Sequence, residues 1–245
     1  MSNKISIFSS NVHLAEACAI EIIERIKRSV SSGKTFSLVL PGGNTPAILF
    51  SILAGHYGTS VNWEKVHFFW GDERCVPADH QESNFRMAKL NLIDKIDIPE
   101  SNIHRIKGEE DPFSEAERYQ NEVVENTRTE NNWPVFDLII LGMGEDGHIA
   151  SVFPENILLF NSDKICEVAT HPVTHQRRVT LTGSVINKAD SIFIMVTGKN
   201  KALIVSNVLD KNNLTNKYPV SRVNSRTGLV KWYLDSDAAS LLIQD

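Results

Sequence analysis

His148 stands directly after Asp146-Gly147, at the tip of a glycine-rich stretch that follows the apolar run Phe136–Leu141. A histidine titrates near neutrality, so it can take a proton from water at ordinary pH. Asp146 is close enough in sequence to hydrogen-bond one ring nitrogen and leave the other as acceptor. Two more strand-like runs end in polar loops. Asp72-Glu73-Arg74 follows Val66–Trp70. There Arg74 could bind a carboxylate or phosphate or steady an oxyanion, and Asp72 could act as a base or orient a neighbour. A solvated turn with an internal ion pair fits the same three charges. The third loop, Leu40–Pro46, reads LPGGNTP. Gly42 and Gly43 leave backbone N–H groups open to an anion, and Thr45 can cap a helix whose first residue is Pro46. A tight strand-to-helix turn is an equal reading of that loop, and the G-K-[ST] ending of a Walker A loop is missing.

The elements that must position these loops are legible from periodicity. Leu14, Cys18, Ile22, Ile26 and Val30 recur every four residues, one face of a long first helix with Ser9, Ser10 and Asn11 as N-caps and Gly33 beyond its end. Thr35–Leu40 and Val66–Trp70 read as buried strands, followed by helices in AILFSILAG and around Asn84–Leu92. A helix around Phe113–Thr127 leads to the strand FDLIIL. ICEVAT, RVTLT, SIFIMVTG and Leu229–Leu234 read as further strands, and Lys199–Leu209 as a helix. Alternating strands and helices predict an α/β fold with a doubly wound, mainly parallel sheet and helices on both faces. Asn126–Asn132 reads as a surface loop rather than a boundary, so residues 1–245 are expected to form a single domain. In such sheets ligands gather beyond the carboxyl ends of the strands, where all three polar loops fall.

Gly142-Met-Gly-Glu-Asp-Gly147 fits the dinucleotide pattern G-x-G-x-x-G. Glu145 and Asp146 inside it would repel a pyrophosphate, and Asp163 precedes a strand where a ribose-binding acid should end one. The pattern therefore reads only weakly as a dinucleotide-cofactor loop. His171 and His175 have i, i+4 spacing, but Pro172 argues against the helix that would bring them together, so they read as exposed loop histidines and no metal is expected. Ser151 lacks the G-x-S-x-G context of an acyl nucleophile and reads as a small buried serine. The three cysteines, Cys18, Cys75 and Cys166, form no C-x-x-C pair; Arg74 could lower the Cys75 thiol, though a loop residue without a chemical role is the plainer reading.

A net charge of −5 gives no general attraction for nucleic acid or anionic membranes, so an anionic ligand must be held by a local positive cluster. No apolar run approaches the roughly 20 residues of a membrane helix, and the N-terminal residues lack a signal peptide's apolar region. The cytoplasm is the expected location.

Taken together, LPGGNTP, GDERCVP with SNFRMAKLNLI, and GMGEDGHIASVFP resemble the 6-phosphogluconolactonase family in order and spacing. The resemblance continues through RRVTLTGSVINKAD, VTGKNKA and GLVKWYLDSDAA, nearly the whole chain. It implies a Rossmann-like fold and hydrolysis of 6-phospho-D-glucono-1,5-lactone to 6-phosphogluconate in the oxidative pentose phosphate pathway, without a cofactor. It implies His148 as the base that activates water, with Arg74 over the lactone. Gly42, Gly43, Asn44 and Thr45 would line the phosphate end with Lys201 and Arg178; the adjacent Arg177 stays open as the arginine. Asp72 could orient Arg74, touch substrate or cap a turn. Pro41 and Glu155 depart from the residues common at those positions in the family.

The nearest alternative is a glucosamine-6-phosphate deaminase. It would carry a glutamate where this chain has Phe153, and Asp-Glu-Tyr where this chain has Asp72-Glu73-Arg74. A sugar-phosphate-sensing domain of a regulator would need a DNA-binding segment, for which the N-terminal strand and helix leave no room. The expected partner is therefore a small phosphosugar lactone, acted on by a monomer or weak homodimer.

Overall fold

The computed structural model describes residues 4–210 and 217–242. In chain order its first half runs β1 (Lys4–Phe8), α1 (Asn11–Ser31), β2 (Phe36–Leu40), α2 (Asn44–Tyr57), β3 (Val66–Trp70), β4 (Asp72–Arg74), α3 (Asn84–Asn91), β5 (Ile103–His104) and α4 (Pro112–Asn126). The second half runs β6 (Arg128–Glu130), β7 (Trp133–Val135), β8 (Leu138–Gly142), β9 (Cys166–Thr170), β10 (Arg177–Leu181), α5 (Gly183–Ile186), β11 (Ser191–Val196), α6 (Ala202–Leu209) and β12 (Leu229–Asp235). Among the described residues no helix is long and apolar enough to cross a membrane.

Seven strands form one sheet in the order β1-β12-β11-β8-β2-β3-β5, and every pairing in it is parallel. Helices flank it, as the α/β reading expects. All five residues of β2 and all six of β11 are buried, because a parallel sheet with both faces covered has no solvent side. α1 starts where Ser10 accepts the His13 N–H, and of its expected stripe Leu14, Cys18, Ile22 and Ile26 are fully buried while Val30 is only partly so.

The strand order decides where a site can form. From β2 the chain winds through β3 to β5 on one side; from β8 it winds through β11 to β12 on the other. β2 and β8 lie side by side, Val39 opposite Ile139, and the loops leaving their carboxyl ends diverge. This is the crevice where open α/β sheets hold ligands.

Three local expectations are corrected. First, β9 and β10 do not extend the parallel sheet. They form an antiparallel sheet with β4, so the Asp72–Arg74 stretch, read as part of a polar loop, is a short strand with Asp72 and Glu73 buried. Second, Thr45 does not cap α2. Gly43, at φ +107°, ends the extended backbone earlier, the helix starts at Asn44, and Pro46 sits in its first turn where a missing N–H costs nothing. Third, the polar segment Asn126–Asn132 is not wholly loop: β6 and β7 pair as a hairpin turned by Asn131 and Asn132, both at positive φ.

Candidate active site

The crevice holds a cavity of 280 Å³ whose wall includes Gly42, Gly43, Asp72, Arg74, Gly144, His148, Arg178 and Lys201. Eight of the ten residues singled out for chemistry are thus accounted for in or beside it once Asp146 is placed, while Asn44 and Thr45 are not on its wall. Asn44 is exposed, and the Thr45 hydroxyl is hydrogen-bonded to that of Thr197, 2.7 Å away, beyond the end of β11. A larger cleft of 860 Å³ opens at the amino-terminal end of the strands, away from the loops that hold the residues singled out above.

The β8 loop builds the histidine. Asp146 Oδ1 lies 2.6 Å from His148 Nδ1 and also accepts the His148 N–H at 3.1 Å. With Nδ1–H donated to the carboxylate, Nε2 keeps a lone pair that can accept a proton. Burial raises the Asp146 carboxyl, but the hydrogen bonds and charge of His148 outweigh it and hold Asp146 below the ordinary carboxylate range. The glycines permit the tight turn: a Cβ on Gly144 would lie 2.0 Å from His148 Nδ1, and Gly147 takes φ +81°. The turn is tied down at both sides, with the Val220 N–H donating to Gly147 O and the Asn200 side chain donating to Glu145.

The antiparallel sheet supplies the arginines in register, with Arg74 opposite Arg178 and Asp72 opposite Thr180. Arg178 is buried and lines the cavity, whereas Arg177 is exposed and lies over the Phe113 ring. Geometry therefore separates the two arginines that the sequence left open. The Asp72 carboxylate faces Arg178 at 3.8 Å and accepts from Ser151 Oγ at 2.7 Å; Asn84 Nδ2 donates to its backbone oxygen. Asp72 is thus placed against Arg178, while Arg74 donates to Glu82 O at 2.6 Å. Burial lowers the Arg178 pKa, with Asp72 opposing the shift and Arg74 adding to it. Among the described residues the buried Nε atoms of Arg74 and Arg178 have no partner, a cost that an anionic ligand can relieve.

Two more elements complete the wall. Among the described residues no side chain caps the N-terminus of α2, which leaves first-turn N–H groups available beside Gly42 and Gly43. Asn84 packs so tightly on Gly42 that a Cβ there would lie 2.0 Å from its Oδ1. Lys201 ends a short 3-10 turn, Lys199–Lys201, before α6. Burial lowers its pKa, with Glu145 and Asp146 opposing. The turn is anchored by Asp235, which accepts the N–H groups of Gly198 and Ala238.

Several contributors escaped the reading of residue types. Ser151 is fully buried, as expected, but it bridges to Asp72. Glu73 accepts N–H groups from Arg74, Asn84 and Phe85 and the Ser83 hydroxyl, holding the start of α3 against β4; burial raises its carboxyl against those bonds. The faint signal was Ser83-Asn84 in SNF, a helix start. Burial, then Glu73, pushes the Cys75 thiol up to about 11, overriding the nearby arginines and correcting the suggestion that an arginine would lower it. His175 is exposed, but His171 is only half exposed and its ring meets Phe153. Among the described residues no three His, Cys, Asp or Glu side chains gather as metal ligands.

Residues 9–232 match the family described as glucosamine-6-phosphate isomerases/6-phosphogluconolactonase. The chain is 40% identical over 207 residues to a 6-phosphogluconolactonase of Haemophilus influenzae, covering 83% of this chain and 86% of that one. It is 35% identical over 244 residues to a 6-phosphogluconolactonase of Synechocystis, covering 99% of both. The solved 6-phosphogluconolactonase of Trypanosoma brucei superimposes with a TM-score of 0.87 at 28% identity, covering 99% of each chain. With the family model spanning both diverging loops and the sheet that supplies the arginines, the chain belongs to the glucosamine-6-phosphate isomerase/6-phosphogluconolactonase family.

Proposed function

We propose that this protein is a 6-phosphogluconolactonase, hydrolysing 6-phospho-D-glucono-1,5-lactone to 6-phospho-D-gluconate in the oxidative pentose phosphate pathway. The observation that carries the reading is a carboxylate-oriented histidine opening on the same cavity as Arg74, Arg178, Lys201 and the uncapped start of α2. His148 Nε2 takes a proton from water as its oxygen attacks the lactone carbonyl. The tetrahedral oxyanion is stabilised by Arg74. Collapse breaks the bond to the ring oxygen, which receives the proton back from His148, leaving the free acid. Asp146 keeps the imidazole in the acceptor tautomer. Arg178, Lys201 and the α2 amides hold a phosphate carrying roughly −1.5 to −2 charge. Asp72 and Ser151 hold Arg178. Binding at the phosphate fixes the carbonyl against the base.

The deaminase alternative lacks its carboxylate, because Phe153 is buried beside His148 instead. Under this reading residues 1–245 act as one domain in the cytoplasm, as a monomer or weak homodimer.

The decisive experiment follows acid release from freshly generated lactone against the spontaneous background. The wild-type chain is expected to exceed that background, and His148→Ala to lose about 10²–10⁴-fold in kcat while still binding 6-phosphogluconate. Unchanged turnover in the variant would remove His148 as the base. Ammonia release from glucosamine 6-phosphate would replace the lactonase reading altogether.

A further inference from the structure

Phe153 is not on the cavity wall, yet it touches the groups assigned to both ends of the substrate. Its ring, 1% exposed, lies 4.6 Å from the His148 imidazole and 5.7 Å from the Arg178 guanidinium carbon, measured between ring centroids and to the centroid respectively. On a further side the His171 imidazole meets it edge-on, 5.1 Å away at 68°. The backbone beneath is locked: the Phe153 N–H donates to Asn156 Oδ1 and its carbonyl accepts the Asn156 N–H.

His171 is held just as firmly. Its Nδ1 accepts the N–H groups of Val173 and Thr174, both at 3.2 Å, so the ring proton resides on Nε2. The turn it belongs to is closed by the His171 N–H to Gln176 O and the His175 N–H to His171 O. Gln176 in turn donates to Glu82, whose carbonyl receives Arg74. Burial, then the charges of Arg178 and His148, hold His171 below the ordinary histidine value.

Both partners of Phe153 have a second anchor elsewhere: His148 on Asp146, and Arg178 on Asp72. A flat buried ring in contact with both limits the remaining freedom, because the ring centroids must stay within about 4.5–7 Å and the guanidinium within about 6 Å of the ring for the contacts to hold. We propose that Phe153, braced by His171, is a positioning residue that fixes the separation of His148 from Arg178 and so couples phosphate binding to lactone hydrolysis. The proposal rests on the lactonase reading above. It assigns Phe153 a role in selecting lactones whose phosphate lies at one distance from the carbonyl.

The test compares 6-phosphogluconolactone with unphosphorylated glucono-1,5-lactone, which cannot use Arg178. For Phe153→Leu, kcat/KM on the phosphorylated lactone is expected to fall about 10²-fold, the scale of a small misplacement. The preference for the phosphorylated over the plain lactone should fall at least tenfold. Phe153→Tyr retains the flat face and should restore most of that preference. His171→Ala, altered at a half-exposed rim, should reduce the preference about threefold to tenfold. Equal losses on both lactones, or an unchanged preference, would overturn the coupling. If Phe153→Leu does not fold, the His171→Ala preference decides by the same criterion. A wild-type protein with no lactonase activity would instead sink the functional reading on which the proposal rests.

Discussion

At the residue scale, the proposed chemistry rests on short contacts whose loss should have distinct signatures. Asp146→Asn retains the shape but not the charge that selects the His148 tautomer; kcat is expected to fall about 10²-fold with little change in KM. Because Asp146 is held below the ordinary carboxylate range, its protonation should not limit activity until the pH falls below about 4. A pH–rate profile with an Asp146-dependent limb at higher pH would contradict this. Lys201→Met should raise KM for the phosphorylated lactone and leave the unphosphorylated one nearly unaffected. Equal effects on the two would place Lys201 away from the phosphate. Asp146 and His148 were legible in the sequence because they are two residues apart and their contact is made within one turn. Asp72 was recognised but not its partner, because Arg178 and Ser151 reach it from a different strand and a different loop. Phe153 was legible only as the residue standing where a deaminase would carry glutamate; its contacts with His148, Arg178 and His171 come from the fold.

At the element scale, parallel strands and amphipathic helices were legible because burial repeats with their periods, as the stripe of α1 shows. The antiparallel sheet was not, because β4 is three residues long and charged, and only pairing with β10 reveals it as a strand. That strand is held by Glu73, a buried carboxylate serving the start of α3. Glu73→Ala leaves several donors without an acceptor, which should cost about 3 kcal/mol. For a chain of this size that corresponds to a drop of roughly 6–12 °C in Tm by thermal unfolding. A Tm within 1–2 °C of wild type, about the effect of an ordinary surface change, would show that water replaces the carboxylate.

At the scale of the whole molecule, a loss of stability in acid is expected from a histidine pair away from the proposed active site. His67 Nδ1 and His104 Nε2 are 3.0 Å apart, and His104 Nδ1 lies 2.7 Å from Glu122, itself paired with Arg118. The contact between the rings holds a single proton, so two imidazolium ions cannot maintain it. Burial, then the charge of His104, lowers the His67 pKa. The unfolded chain consequently binds this proton more readily. The stability contribution is complete above about pH 6.5 and is lost as pH falls through that value toward the folded pKa. Denaturant unfolding between pH 7 and 5 should show a shallower loss of stability in His67→Gln than in wild type; identical slopes would rule the pair out. The pairing of β1 with β12, Lys4 opposite Lys231 and Phe8 opposite Asp235, has its own consequence for biosynthesis. At translation rates of 5–20 residues per second, the first strand leaves the ribosome roughly 10–45 s before its partner. Through that interval β1 has no β12 to pair with, so a strand made before the others of this sheet is among the last to join it.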